Sequence, residues 1–277
     1  MPVNFFYRLD PRLICLVLAG VLVIVSEIGF RLKNRRITGP SDSIEKADIA
    51  LIIGAVLTLL ALLLGFTYAM SESRFEARRQ LAIDEANAIG TTYLRAKTLP
   101  EPRSSEIQEL LRRYTALQIE KIDNKADELA QVRDRDNRAK KLHGLIWAHA
   151  IVLARENASP ITALFLQTLN EMIDLHTKRL AAYQNRVPVP IYTVLFIVSA
   201  ITLWLVGFYF GSHRQRALVL TTLLAILVAS VMWLIMDLDQ PVRGSIQTSK
   251  QSLFDLHQDL NAESGKPIQE FKPAKPE

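Results

Sequence analysis

Cysteine, glycine and proline are all scarce in this sequence. A single cysteine, Cys15, occurs among 277 residues, so neither an intramolecular disulfide nor a multi-cysteine metal site can form. The chain has 11 glycines and 12 prolines, and 49% of its residues are hydrophobic, which excludes a collagen and a disordered chain. Cys15 lies within an apolar run, where we interpret it as a packing or lipid-facing residue.

No enzyme motif is recognisable in the sequence. It has no phosphate-binding loop, dinucleotide fingerprint or nucleophile elbow. His143 and His149 are six residues apart, whereas a spacing of three or four would place both rings on one metal along a helix. We therefore expect no enzymatic activity, no cofactor and no metal site, and we interpret every histidine as an ordinary helix residue. The histidines are His143, His149, His176, His213 and His257.

Charge of one sign dominates only short stretches of this sequence. The net charge is +5, and basic and acidic residues are interleaved along most of the chain, which favours a slightly basic surface near anionic lipid over a nucleic-acid partner. The mean hydropathy of +0.15 is high for a chain with 22% charged residues. The apolar residues must therefore be segregated into runs.

Four apolar segments are long enough to cross a bilayer. A hydrocarbon core of about 30 Å requires about 20 helical residues at about 1.5 Å each. The segments are apolar all round, unlike the striped helices of a soluble core, and the last two contain no charged residue. The four segments are Leu13–Phe30, Ala47–Met70, Ile191–Phe210 and Ala217–Met236.

The first segment is predicted to be a retained membrane helix. A basic run follows it where a signal peptide would carry small residues for cleavage. Glu27 lies one turn before Arg31, which predicts an interfacial ion pair in preference to an intramembrane proton carrier.

The segments are predicted to form two hairpins with a helical extramembrane domain inserted between them. The polar region has strong helical patterning and no alternating apolar run typical of a strand. We therefore expect an all-α membrane protein. The predicted parts are residues 1–70, the first transmembrane hairpin; residues 71–188, the helical domain; residues 189–236, the second hairpin; and residues 237–277, a juxtamembrane segment with a tail that we expect to be disordered after Leu260.

Prolines and capping residues place the helices of the inserted domain. Pro100 and Pro102 are predicted to close its first helix, and Ser105 with Gln108 to form the capping box of the second. The remaining predictions are a third helix over Ala139–Glu156, a fourth that begins at Ser159 and Pro160, and a break at Val187–Pro190.

The second membrane segment is predicted to continue into the inserted domain as one helix. No proline, glycine or turn cluster interrupts the chain between Gly65 and Gly90. A helix from about Ala47 to Arg95 would be about 70 Å long.

Small residues recur along that helix at spacings of four, three and four. Such a pattern either lets another helix approach closely or lines a narrow conduit, and periodicity alone favours packing. The small-residue stripe comprises Gly54, Thr58, Ala61 and Gly65, and it continues through Phe75, Ala82, Ala86, Ile89 and Tyr93.

Three arginines follow the end of the second membrane segment. Arg74 and Arg78 fall on one helix face, so several copies around an axis would form a positive ring that attracts anions toward a pore. The alternative is interfacial anchoring, with the cluster of Arg74, Arg78 and Arg79 paired to Glu85.

Two carboxylates follow the fourth membrane segment. Asp237 and Asp239 precede Pro241 and Gly244, a composition that predicts a tight turn. Their carboxylates are expected either to cap backbone amides or to pair with the arginine cluster, and two are too few for a strong calcium site.

Two stretches resemble the signatures of a known family. They are GFTYAMSESRFEARRQLAIDEANAIGTTYLRAKTLP over Gly65–Pro100 and LIMDLDQPVRGSIQTS over Leu234–Ser249. Both resemble the bestrophin-like domain family, a domain of otherwise unknown function. Together with the two hairpins and the central helical region, the likeness spans most of the chain.

The resemblance implies a function through the more distant bestrophins, which are pentameric anion channels whose second membrane helix lines the pore. It implies a homo-oligomer, pentameric by analogy, that conducts an inorganic anion such as chloride across the bilayer. The positive-inside rule does not decide orientation, because raw counts and loop density disagree. The resemblance favours a multi-pass protein of the bacterial inner membrane with cytoplasmic termini and helical domain. The chain lacks the acidic calcium-clasp run of animal bestrophins, so the resemblance does not extend to calcium gating.

Two functions remain open on the sequence. One is an oligomeric, anion-permeable channel whose second membrane helices surround an axis. The other is a membrane-anchored scaffold or sensor that binds a partner through its helical domain without conduction, with the small-residue stripe serving only for packing.

Overall fold

The chain is predominantly α-helical in the part that the structure describes. The computed structural model covers residues 11–34, 42–120, 128–212, 217–241, 246 and 248–263, and none of these residues lies in a β-strand. The predicted all-α fold is confirmed. The described helices are α1 (Pro11–Asn34), α2 (Asp42–Ala96), α3 (Arg103–Ile119), α4 (Glu128–Glu156), α5 (Pro160–Gln184), α6 (Val189–Ser212), α7 (Leu218–Asp239) and α8 (Gln251–Glu263).

Four helical stretches have the length and composition of membrane spans. They include the four predicted segments apart from Ala47 and Ala217, so the chain is a multi-pass membrane protein with spans in α1, α2, α6 and α7. The stretches are Leu13–Leu32, Asp48–Ala96, Pro160–Gly211 and Leu218–Asp239.

Helix α2 is uninterrupted over 55 residues, which corresponds to about 80 Å. This confirms that the second membrane segment continues beyond the bilayer, since no proline or glycine ends the helix there. Helix α2 contributes to both compact units of the chain. We call Met1–Phe75 with Asn185–Gln247 the membrane unit, and Glu76–Gln184 with Thr248–Glu277 the helical unit. The predicted boundaries at residues 70, 188 and 236 stay predictions.

The membrane unit is built around α1, which packs along α6 and α7. Van der Waals packing stabilises such contacts in lipid, where water exclusion contributes little. The pairing of spans into two hairpins stays a prediction, and residues 35–41 and 213–216 of the connecting loops lie outside the described residues. The core includes Leu18, Leu22, Leu60, Leu64, Leu195, Leu203, Ala225 and Met232.

The helical unit has a conventional apolar core formed by the second half of α2 with α3, α4, α5 and α8. Burial of each large apolar side chain there contributes about 2 kcal/mol in water. The core includes Ile89, Tyr93, Ile107, Leu111, Ile146, Phe165, Leu169, Met172 and Leu253.

The predicted helix boundaries are partly correct. The backbone N–H of Thr162 donates to Ser159 Oγ at 3.2 Å, which confirms Ser159 as the cap of α5. The break before α6 lies at residues 185–188, two residues earlier than the predicted Val187–Pro190. The capping box at Ser105 is wrong. Helix α3 begins at Arg103, and the Glu101 carboxylate accepts both the N–H and the hydroxyl of Ser105, at 3.3 and 3.0 Å.

Two helical segments extend beyond the predictions. Helix α4 begins at Glu128 and not at Ala139. An ion pair of Lys140 with Asp136 at 2.7 Å joins the added segment to the predicted one. The stretch 237–277 contains α8, in which Leu253 and Leu260 are buried against the core. The tail after Leu260 is therefore helical to Glu263, and residues 264–277 lie outside the described part.

Candidate functional site

The small-residue stripe of α2 is exposed along its whole length in the membrane unit. Gly54, Thr58, Ala61 and Gly65 are all exposed. A Cβ added at Gly54 or Gly65 has no atom of the described chain within 4 Å, apart from its own helix backbone and chain neighbours. Thr58 donates its hydroxyl to Gly54 O at 2.8 Å, so its polar group is satisfied within the helix. The stripe is therefore accessible to lipid, water or another copy of the chain.

The membrane segment of α2 is the least covered span of the chain. In its most apolar 18-residue window 11% of the residues are buried, against 28% to 33% in the other three spans. Its buried residues form a second line, Leu60, Leu64 and Thr67, which faces the core of the membrane unit. Helix α2 therefore packs along one narrow side and leaves the stripe open.

Glycine does mediate close packing in this chain, although between different helices. A Cβ at Gly207 of α6 would lie 1.9 Å from Ser26 O, and a Cβ at Gly29 of α1 would lie 2.3 Å from Trp204 O. Helices α1 and α6 thus approach until their backbones touch. Sequence reasoning missed this crossing, although both glycines lie within predicted spans.

The arginines after the membrane segment have three different environments. Arg78 is 5% exposed, so its side chain does not present an open charge as the predicted ring requires. Arg79 pairs with Glu76 at 3.1 Å on the helix surface, and Arg74 is half-buried. Glu85 pairs with Arg179 on α5, which corrects the expected pairing with the arginine cluster.

The two carboxylates at the end of α7 cap backbone amides, the first of the two predicted alternatives. Both oxygens of Asp239 accept the N–H of Val187, at 2.9 and 3.1 Å, and the Tyr192 hydroxyl donates to Oδ2 at 3.3 Å. Asp237 accepts the N–H of Ile246 at 2.9 Å. Asp237 lies inside α7 and not in a turn, Pro241 follows the helix, and Gly244 lies outside the described residues.

The helical unit contains a buried polar cluster that no sequence motif indicated. Glu85 of α2 is fully buried and accepts the Tyr114 hydroxyl of α3 at 2.5 Å. The same oxygen, Oε1, lies 3.4 Å from His176 Nδ1, and the other oxygen, Oε2, lies 2.5 Å from the Arg179 guanidinium. Arg179 also donates to Gln118. Three helices, α2, α3 and α5, thus meet at one carboxylate.

Electrostatics fix the charge states in this cluster. Burial alone would raise the pKa of Glu85, but the Arg179 charge and the hydrogen bonds from His176 and Tyr114 lower it below its usual value. Burial and the Glu85 charge raise the pKa of Tyr114 well above the ordinary phenol value. Glu85 is therefore a carboxylate and Tyr114 a neutral donor at physiological pH.

A family assignment follows from comparison with known sequences. The family model described as "Bestrophin-like domain" matches residues 20–253. This chain belongs to the bestrophin-like family. The predicted resemblance is thereby confirmed, and no curated protein matched the chain.

Solved structures show that the bestrophin-like chain also has the fold of bestrophin homologues. Crystal structures of a bacterial bestrophin homologue from Klebsiella pneumoniae match it. One carries a single substitution and matches with a TM-score of 0.64 at 16% identity, covering 91% of this chain and 99% of that one. Another has a TM-score of 0.62 at 18% identity, with 91% and 98% covered. A structure described as a membrane protein with one substitution has a TM-score of 0.65 at 19% identity, with 91% and 99% covered.

No metal site emerges in the described part of this bestrophin-like chain. No three side chains of histidine, cysteine, aspartate or glutamate converge there in a way that could hold a metal ion.

The buried polar cluster was not predicted from the sequence because its members are far apart in the chain. In the sequence, Glu85, Tyr114 and His176 are each an isolated polar residue of a different helix. Only the packing of these helices brings the three side chains together.

Proposed function

We propose that this protein is a subunit of an oligomeric anion channel whose pore is lined by the small-residue stripe of α2. The observation that supports this most is the stripe itself: Gly54, Thr58, Ala61 and Gly65 are exposed, and a Cβ added at either glycine would have no neighbouring atom within 4 Å among the described residues outside its own helix. Membership of the bestrophin-like family supports the same function. In this proposal the channel is a homo-oligomer, and analogy with bestrophins gives five subunits.

The chemistry of the stripe is consistent with ion passage. No charged residue occurs on α2 between Asp48 and Glu72, so nothing there would trap an ion by direct pairing. Glycine, alanine and a threonine hydroxyl leave room for water beside the helix. Arg74 lies at the end of this segment, where its positive charge would favour anions such as chloride.

The sidedness is also a proposal. We place the helical unit and both termini in the cytoplasm and the spans in a bacterial inner membrane, as the family resemblance implies.

Ion flux from liposomes tests the channel function. The purified protein should release chloride faster than a monovalent cation, and particle images should show a ring of copies. Ala61→Phe, on the stripe, should reduce chloride flux at least tenfold because the phenyl side chain would occupy the proposed pore. The matched control is Val219→Phe on α7, where the side chain is 80% exposed and faces away from the core. A monomer without flux, or equal loss in both variants, would contradict the proposal.

A scaffold or sensor function has one observation in its favour. Large apolar side chains are exposed on the helical unit, among them Leu94 at 59% and Leu145 at 52%. A protein partner is indicated where such side chains form one contiguous patch. If the partner is another copy, the oligomer seen in particle images will cover them; a stable monomer with these residues exposed would favour the scaffold.

A further inference from the structure

The helical unit contains an acid–base cluster that ion conduction does not require. Four helices contribute to it: Glu85 from α2, Tyr114 from α3, Asp136 and His143 from α4, and His176 from α5. Its centre is closed to solvent, since Glu85 and Tyr114 are fully buried. A change of charge here acts on the packing of all four helices at once.

His176 lies between two carboxylates. Its Nδ1 is 3.4 Å from Glu85 Oε1, and its Nε2 is 3.3 Å from Asp136 Oδ1. A neutral imidazole has one N–H donor, whereas an imidazolium has two and can serve both acceptors. The two acids are also held by cations, Glu85 by Arg179 at 2.5 Å and Asp136 by Lys140 at 2.7 Å.

His143 is packed next to His176 without a carboxylate of its own. Its ring centroid lies 5.2 Å from that of His176 and 4.7 Å from that of Tyr114. His143 is 6% exposed, and its Nε2 has no hydrogen-bond partner in the part of the chain that the structure describes. A proton added to His143 therefore places a buried positive charge beside the His176 ring, and Nε2 has no acceptor for it among the described residues.

We propose that His143 makes this cluster an acid-sensitive lock on helix α2. Protonation of His143 against His176 loosens the packing of α3, α4 and α5 around Glu85 and so releases the second half of α2. The membrane half of the same helix carries the proposed pore face, so acid should reduce conduction. This last consequence rests on the proposed channel function, whereas the release itself does not.

The sign of the pH effect follows from the local electrostatics. Burial and the neighbouring His176 lower the pKa of His143 from 6.5 to about 4, against a smaller opposing effect of Glu85 and Asp136. Because the folded pKa is the lower one, the packed cluster is fully stable above pH 6.5 and loses stability as the pH falls toward 4. The complete shift changes the ratio of packed to loosened states on the order of a hundredfold.

Hydrogen–deuterium exchange of the full-length protein in detergent tests the lock. Peptides that cover residues 82–93, 107–118 and 139–150 should lose protection at least tenfold at pH 4.5 relative to pH 7, after correction for intrinsic exchange rates. His143→Phe keeps a ring in the same space but takes no proton, so its loss should be at least tenfold smaller. Equal protection of the wild-type protein at both pH values would overturn the proposal without any variant.

Two further proteins control the comparison. His149→Phe is on the same helix, where His149 lies at the surface 3.3 Å from Glu106, and it should keep the wild-type response. If the phenylalanine variant does not fold, His143→Gln replaces it, and its loss of protection should likewise be at least tenfold smaller than that of the wild-type protein.

Lys250 also titrates near this pH range, because burial and then Arg135 and Arg179 lower its pKa to about 7. It is common to all these proteins and cancels in the comparison.

Chloride flux at both pH values separates this proposal from the channel function. The regulation is supported if chloride flux is present at pH 7 and falls several-fold at pH 4.5 in the wild-type protein and in His149→Phe, but not in His143→Phe. Flux that is equal at both pH values while protection is lost overturns the coupling to the pore. If no flux occurs at pH 7, the channel proposal fails and the exchange data still decide the lock.

Discussion

The stripe along α2 is open in the membrane unit and covered in the helical unit. Gly54, Thr58, Ala61 and Gly65 are exposed. The continuation of the stripe is buried in the helical core, with exposures of 9% at Ala82, 4% at Ala86, 0% at Ile89 and 2% at Tyr93. On a straight α-helix the 28 residues from Gly54 to Ala82 correspond to a rotation of about 80°, so the two parts of the stripe lie on different sides of α2. In water an apolar face must be buried by the chain itself, whereas in the bilayer it can remain in contact with lipid until another copy packs against it.

The largest effect is expected where two backbones meet. Gly207→Val puts a side chain onto Ser26 O of α1, which neither helix can avoid without moving apart. We expect a loss of about 3 kcal/mol in stability, visible as a strongly lowered thermal midpoint in detergent. The matched control is Gly20→Val on α1, where an added Cβ contacts nothing within 4 Å among the described residues. Equal midpoints for the two variants would contradict the close crossing.

A smaller effect is expected when the two parts of the stripe receive the same substitution. Ala86→Leu overpacks the helical core and should cost about 2 kcal/mol, because the site is already filled. Ala61→Leu adds the same atoms to the open part and should change protomer stability by about 0.5 kcal/mol or less. Thermal unfolding followed by tryptophan fluorescence compares them. If Ala61→Leu is the more damaging, the stripe is covered within the protomer and the comparison fails.

The smallest effect is expected at the exposed end of α1. The predicted pair of Glu27 with Arg31 is confirmed, with 2.8 Å between Arg31 Nε and Glu27 Oε1. The Arg31 side chain is 65% exposed, so Glu27→Gln should cost about 0.5 kcal/mol and less at high salt. A loss of several kcal/mol in the same unfolding assay would mean that Glu27 has a role beyond this ion pair.

The features that sequence predicted well are those set by local composition. The four spans, the uninterrupted α2, the cap at Ser159 and the break after Gln184 all follow from nearby residues. Helix α8 was missed because its polar sequence near the end of the chain resembles a tail, and only Leu253 and Leu260 are buried.

The features that sequence could not supply depend on distant contacts. Glu85 was expected near the arginine cluster because it is close in sequence, yet it pairs with Arg179, which lies 94 positions further along the chain. Gly29 and Gly207 were not distinguished from the stripe glycines, since spacing within one helix does not identify the opposing helix. In both cases the missing information is the packing partner.

Thiol labelling tests the central claim most directly, namely that the open stripe faces a water-filled pore between copies. The single native cysteine, Cys15, is replaced by serine, and Ala61→Cys is introduced in that background. A charged, membrane-impermeant thiol reagent added to conducting liposomes should label Ala61→Cys and block chloride flux. The same reagent should leave a Val219→Cys protein unlabelled and conducting. If Ala61→Cys remains unlabelled while the protein conducts, the pore is not lined by this face of α2.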